Sequence, residues 1–180
     1  MCRLIYFCVV LTLLSGCTDN LSALKEINRF DQSPIGITEN LYLIYSDSAF
    51  VEAILEAQKN IDFTNQKFPY SEFPEGLEVT LFDRKGNQTH VYADYGIYYP
   101  KTEIIDLQGN VIISDSTGVQ LNTNQLYWDT GQEWLFTEKN FTFTSEDYDI
   151  KATQLDANRS FTKLVTGVLQ GTVQVQEDQL

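Results

Sequence analysis

The sequence has few cysteines and a single histidine, and both shortages exclude chemistry. Its three cysteines, Cys2, Cys8 and Cys17, all lie near the amino terminus, so the rest of the chain has no thiol for a disulfide, a metal or a nucleophile. His90 is the only histidine, which argues against a nucleophile activated by a histidine base. No phosphate-binding glycine loop or metal-ligand spacing is present. We therefore expect no enzyme, no metal site and no cofactor.

Positive charge is also scarce. The chain has 12 Lys and Arg against 25 Asp and Glu, a formal net charge of −13. Such a chain is repelled by nucleic acid, and anionic membrane surfaces do not hold it by charge. We expect no nucleic-acid partner, and any attachment to a membrane must have another source.

A short apolar segment at the amino terminus predicts how the protein is attached to a membrane. Arg3 precedes an apolar run over residues 4–14, which is too short to span a bilayer and fits a secretory signal. The following Ser15, Gly16 and Cys17 resemble the lipobox of bacterial lipoproteins. This pattern predicts a signal peptide over residues 1–16 and lipid attachment at Cys17. An ordinary signal peptide or a buried apolar strand is the alternative.

The remaining chain divides by composition into a tether, a domain and a tail. Residues 17–40 are polar and contain Ser33-Pro34 and Gly36, which is typical of a flexible spacer. Residues 41–175 contain short β-rich runs, and residues 176–180 form a polar tail. Residues 50–61 fit a helix or a strand, and their neighbours favour a strand.

Alternating apolar and polar residues separated by turn signals predict an all-β domain. Residues 77–81 and 89–93 alternate on either side of a polar break, as in a hairpin. Further strands are predicted over residues 95–99, 104–107, 111–114, 119–126, 134–137, 141–144, 150–155 and 163–168.

An internal repeat runs through these strands. A shift of 30 residues places Asn110-Val111 on Asn140-Phe141, and a shift of 29 places Leu121 on Ile150 and Leu126 on Leu155. A period of this length predicts stacked β units in which each unit buries its apolar face against its neighbours.

Five motifs stand out along the predicted strands. They are Phe73-Pro74-Glu75-Gly76-Leu77, Ala93-Asp94-Tyr95-Gly96-Ile97-Tyr98-Tyr99, Gly109-Asn110-Val111, Leu121-Asn122-Thr123-Asn124-Gln125-Leu126-Tyr127-Trp128-Asp129 and Phe136-Thr137. Taken together, these motifs resemble the LptC family, whose members are periplasmic components of the lipopolysaccharide exporter. The similarity extends over residues 41–173. Two departures are an acylated cysteine in place of an uncleaved transmembrane helix, and residues 150–156 in place of a glycine-rich segment.

The resemblance implies a jellyroll of stacked antiparallel strands whose apolar interior holds the acyl chains of lipopolysaccharide or lipooligosaccharide. Candidates for the inward row are Val79, Leu81, Val91, Ile112, Leu121, Leu126, Phe141 and Phe143. A dry core is the alternative for each of them. A shift of one residue in the choice of face would reverse every assignment.

The resemblance also implies edge-to-edge assembly with inner-membrane ABC exporter subunits at one end and a soluble periplasmic LptA-like protein at the other. The predicted donor edge is the last strand, formed by Lys163, Leu164, Val165, Thr166, Gly167 and Val168, with a possible further strand over residues 171–175. The implied location is the periplasmic side of the inner membrane, with the outer membrane as the alternative.

The aromatic residues leave a second functional class open. Trp128, Trp134 and the Tyr98-Tyr99 pair could stack on sugar rings. In that case the protein is an outer-membrane lipoprotein that binds carbohydrate or a protein partner, and core packing explains the same aromatics equally well.

Overall fold

The computed structural model describes residues 33–173, which form an antiparallel sheet of twelve strands. The strands are β1 Gly36–Asp47, β2 Phe50–Asp62, β3 Ser71–Phe73, β4 Leu77–Phe82, β5 Gln88–Ala93, β6 Tyr95–Tyr99, β7 Ile104–Asp115, β8 Gln120–Asp129, β9 Trp134–Thr144, β10 Tyr148–Asn158, β11 Leu164–Thr166 and β12 Leu169–Val173. The predicted all-β fold is confirmed. The predicted signal peptide, Cys17, most of the tether and the polar tail lie outside the described residues.

The first strand begins earlier than the sequence suggests. The predicted tether extends to Asn40, whereas β1 starts at Gly36 and pairs with β2, with Gly36 opposite Asp62. The polar residues before Leu41 join the sheet because β2 is long enough to pair with their backbone groups. The strand predicted over the ambiguous residues 50–61 is confirmed as β2.

Two long strands change partners along their length and divide the sheet into two halves. In β7, residues 104–108 pair with β6 and residues 112–115 pair with β5. In β2, residues 53–56 pair with β4 and residues 61–62 pair with β3. Half A contains β4, β5, β12 and residues 53–56, 112–115, 120–123, 141–144 and 148–152. Half B contains β3, β6, β11 and residues 61–62, 104–108, 125–129, 134–137 and 155–158.

The long strands β7 to β10 bend where they pass from one half to the other. Strand β7 bends at Gly109 and Asn110, whose φ angles are 72° and 44°, and β10 bends at Gln154, whose φ is 61°. Register shifts accompany these bends, as expected for β-bulges. Two buried threonines bond the irregular backbone: the Thr123 hydroxyl donates to the Asn140 carbonyl (3.1 Å), and the Thr137 hydroxyl accepts from a backbone N–H (3.0 Å).

Asp94 holds the chain at the corner between β5 in half A and β6 in half B. Its carboxylate accepts hydrogen bonds from the Tyr92 hydroxyl (3.0 Å) and the Asn110 amide (2.6 Å), and its N–H donates to the Gly109 carbonyl (2.9 Å). The hydrogen bond to Asp94 raises the pKa of Tyr92. The corner is thus tied to the bend of β7, which fixes where the two halves diverge.

The inner faces of the two halves form one hydrophobic core. Its largest fully buried side chains come from both halves: Val111 and Leu121 from the half A side, and Leu107, Leu126 and Leu155 from half B. Because side chains alternate along a strand, the other face of each half carries mostly polar or partly exposed residues. The molecule is therefore a folded-over sheet with its apolar residues between the halves.

The predicted repeat is present as two successive hairpins, β7–β8 and β9–β10. Equivalent positions are buried in both hairpins, namely Val111 with Phe141, Leu121 with Ile150 and Leu126 with Leu155. The turns match as well. Glu103 and Glu133 both have positive φ, and their carbonyls accept N–H hydrogen bonds of 2.9 Å from Thr130 and Arg159 respectively.

Candidate functional site

Seven of the eight predicted inward residues lie in the core. Each of the seven is at most 7% exposed. Leu126 belongs to half B and the others to half A. They are Val79, Leu81, Val91, Leu121, Leu126, Phe141 and Phe143.

The prediction of an inward Ile112 is wrong. Ile112 is only partly buried, whereas Val111 and Ile113 on either side are 1% and 3% exposed. In the register, Ile113 pairs with Leu121, and Ile112 pairs with Tyr92 and Asn122. Three consecutive β-branched residues leave the facing direction undecided from the sequence, and strand pairing puts Ile112 on the outer face.

The interior opens where the turns of half A approach the turns of half B. A cavity of about 640 Å³, which we call the mouth, lies between the β4–β5 and β7–β8 turns of half A and the β8–β9 and β10–β11 connections of half B. Its apolar lining includes Leu81, Ile113, Val119 and Phe161. The Phe161 ring packs 5.2 Å from that of Phe143, centroid to centroid, so the lining is continuous with the core.

The rim of the mouth has charges of both signs. Arg84, Arg159 and Lys163 lie there. Four carboxylates lie beside them, those of Glu52, Asp83, Asp115 and Glu133. Glu133 pairs with Arg159 at 3.2 Å, and Asp83 accepts hydrogen bonds within its own turn, chiefly from Asn87, which lower its pKa. Sequence reasoning missed this group of cations because its members are far apart along the chain.

A second cavity, of about 550 Å³, lies along the bends on the opposite side of the fold. Asn110, Asn124 and Asn140, one from each of three successive strands, line it beside the core residue Phe141. Sequence reasoning did not anticipate it, because bulges leave no clear signal in the alternation.

The carboxyl-terminal edge differs in extent from the prediction. Strand β11 contains only Leu164, Val165 and Thr166, and the edge continues as β12, with both strands pairing to β10. Lys163, Gly167 and Val168 lie outside these strands. The interruption arises opposite the bend of β10, where the Gly167 N–H donates to the Thr153 carbonyl (2.8 Å) and the Val168 N–H to its hydroxyl (3.2 Å).

The domain has a second apolar edge at β1. Within residues 33–173, β1 pairs only with β2, while β11 and β12 pair only with β10. Tyr42, Ile44 and Ile37 on β1 are 53–58% exposed, and Val165 is 67% exposed. Such long edges usually carry charges or prolines that block pairing with another chain. These edges are therefore suited to continue the sheet into partners.

A sequence model of the LptC family, described as lipopolysaccharide-assembly, LptC-related, matches residues 42–166. The chain belongs to the LptC family. The resemblance seen in the motifs is thus confirmed, and membership gives the protein a role in lipopolysaccharide transport, in association with the Lpt system at the periplasmic side of the inner membrane. No curated protein matches the chain. Across residues 33–173, no helix is long and apolar enough to cross a membrane.

In this LptC-family domain, the aromatic residues considered for sugar binding divide between two faces. Trp128 and Tyr98 lie on the inner face of half B, in or against the core. Trp134 lies on the outer face, where its indole N–H donates to Asp156. Tyr99, next to Tyr98, has its ring near those of Phe68 and Tyr70. The four aromatics therefore do not all lie on one face, and the carbohydrate-binding alternative stays a prediction.

Proposed function

We propose that this LptC-family protein is a non-enzymatic carrier anchored in the inner membrane through a lipid on Cys17. It receives lipopolysaccharide or lipooligosaccharide from the subunits of an ABC exporter and passes the glycolipid to a soluble periplasmic LptA-like protein. The observation that carries the proposal is the apolar interior between the two halves, which opens at the mouth and ends at two edges, β1 and β11–β12, each with a neighbouring strand on one side only within residues 33–173.

The interior supplies the affinity for acyl chains. Apolar surface leaving water contributes about 25 cal/mol per Å² of buried area, and this contribution is insensitive to the details of the chain. Leu81, Ile113 and Phe161 continue the core to the mouth, so a chain that passes the polar rim tail-first meets apolar side chains. The cations Arg84, Arg159 and Lys163 at the rim are offset by four carboxylates, those of Glu52, Asp83, Asp115 and Glu133, so the affinity rests on the acyl chains rather than on the head group.

The two edges supply the docking sites. Unpaired N–H and C=O groups on an edge strand can extend the sheet into a partner strand. Because β1 directly follows the proposed tether, we assign β1 to the exporter subunits and the β11–β12 edge to the LptA-like protein. The interiors of neighbouring domains would then join along the sheet.

Site-specific photo-crosslinking in cells that make lipopolysaccharide tests this function. A photoreactive amino acid is placed at the inward positions Leu81 and Phe143, and at the adjacent outward positions Thr80 and Thr144 as matched controls. We expect lipopolysaccharide adducts at the inward positions alone. A thermal melt of each variant establishes that it is folded.

The outcome that contradicts the proposal is equally specific. If folded variants give no adduct at Leu81 and Phe143, or give adducts equally at Thr80 and Thr144, the interior is a dry core. The same cells, with the photoreactive residue at Ile44 or Val165, test the two assigned edges through adducts with exporter subunits and with the LptA-like protein.

A further inference from the structure

Trp128 has a polar group in the core to which no other residue within 33–173 forms a hydrogen bond. Its side chain is 7% exposed, and its indole Nε1–H is the buried side-chain donor without a hydrogen-bond partner among residues 33–173. Trp134, the other tryptophan of the chain, donates its indole N–H to Asp156. Buried indole N–H groups usually have a partner, because an unmet donor in an apolar environment is destabilising.

The register places Trp128 directly behind the rim of the mouth. Trp134 and Asn158 line the mouth and are paired with each other across β9 and β10. The next row inward consists of Trp128, Leu135 and Ala157, which are paired across the same strands. Trp128 therefore lies one residue deeper than the rim, on the inner face, in a row whose other two members are fully apolar.

An acyl chain has a polar atom at the corresponding depth. The tail of an acyl chain is hydrocarbon, and its ester or amide carbonyl lies at the end next to the head group. If the tail fills the core and the head group remains at the rim, the carbonyl oxygen lies at the level of the first inner row. A carbonyl oxygen accepts hydrogen bonds, and the indole of Trp128 has only a donor to offer.

We propose that the Trp128 indole N–H donates a hydrogen bond to the carbonyl oxygen of a bound acyl ester or amide. Trp128 thereby selects acylated lipids over plain hydrocarbon chains and sets how deep the chain enters. This inference rests on the proposed function, since it requires a lipid in the interior. It adds a residue and a chemical class, a carbonyl-bearing acyl chain, to that site.

The spectrum of the purified full-length protein gives a direct test. Its two tryptophans give two indole N–H signals in a proton–nitrogen correlation spectrum, and Trp134→Phe assigns them. The probes are 1-lauroylglycerol, which has an ester carbonyl, and 1-O-dodecylglycerol, in which an ether replaces the ester. We expect the Trp128 proton signal to move downfield with the lauroyl lipid and to move much less with the ether.

Binding affinity gives the second test. Trp128→Phe retains an aromatic ring and removes the donor, so it should weaken binding of the lauroyl lipid by about three- to tenfold, the usual net worth of a neutral hydrogen bond. Binding of the ether should change less than about twofold on the same basis. Tyr148→Phe, which changes an exposed side chain outside the mouth, is the control and should leave both affinities unchanged.

The outcomes separate this inference from the proposed function. If both lipids bind but the Trp128 signal stays in place, or if Trp128→Phe weakens both lipids equally, the inference is overturned and the lipid-carrier function stands. If neither lipid binds the folded protein, both are overturned. A downfield shift with loss of affinity for the ester alone supports the proposed donor.

Discussion

Replacing Leu121 with alanine tests whether the core is solidly packed away from the mouth. Leu121 is 0% exposed and pairs with Ile113 and Phe143 on the neighbouring strands. The change removes three carbon atoms, worth about 0.8 kcal/mol each in transfer free energy, or about 2.4 kcal/mol. The cavity left behind adds to this, and the total is about 3–5 kcal/mol in a rigid core.

The assay is urea denaturation followed by circular dichroism, with Leu81→Ala as the comparison. Leu81 is 6% exposed and lines the mouth, where solvent can occupy the vacated space, so its replacement should cost less, about 2 kcal/mol. Leu81→Ala should instead reduce lipid binding. A cost below about 1 kcal/mol for Leu121→Ala would refute the packing argument and indicate a hollow interior at this depth.

Three further predictions concern other parts of the domain. Gly96→Ala should destabilise the domain by about 1–3 kcal/mol, because a Cβ there would lie 2.7 Å from a Leu77 methyl group. Adding Leu77→Val should restore part of the lost stability, as measured by urea denaturation. Burial, together with the hydrogen bond to Glu72, raises the pKa of Tyr95. The folded protein should therefore lose stability as the pH rises above about 10, where the tyrosine of the unfolded chain ionises. Tyr95→Phe should reduce this loss, measured as the urea midpoint between about pH 9 and 11. Ile44→Lys should leave the melting temperature nearly unchanged but abolish co-purification with exporter subunits. Thr38→Lys on the same strand is a milder control. Co-purification of the Ile44→Lys variant with the subunits would contradict the assignment of β1.

The alternation of apolar residues predicted most of the strands because each half of the sheet buries one face. Leu121 and Leu126 are both predicted to face inward although they lie an odd number of residues apart, and the structure shows that a register shift between them restores the inward face. The internal repeat in the sequence also predicted that the two hairpins are equivalent. Turn residues and buried positions recur together when the backbone bends at equivalent places.

Features that depend on pairing between distant strands were not predicted. Val111, Ile112 and Ile113 have the same apolar character, so only the partners of β7 decide which of them faces inward. Arg84 and Arg159 meet at the mouth because the sheet folds over, and local sequence has no signal for this. The lack of a hydrogen-bond partner for the Trp128 indole within residues 33–173 is likewise a property of its surroundings in three dimensions.

The repetition of the β7–β8 hairpin as β9–β10 makes the length of the interior a modular quantity. Each hairpin adds two strands to both halves at once, with its bend and its turn already in the correct places. Neighbouring strands lie about 4.8 Å apart, so one more hairpin would lengthen the interior by about 10 Å without altering either end. A single duplication of some 30 residues in the gene could therefore adapt the same domain to a longer lipid or a wider gap between partners.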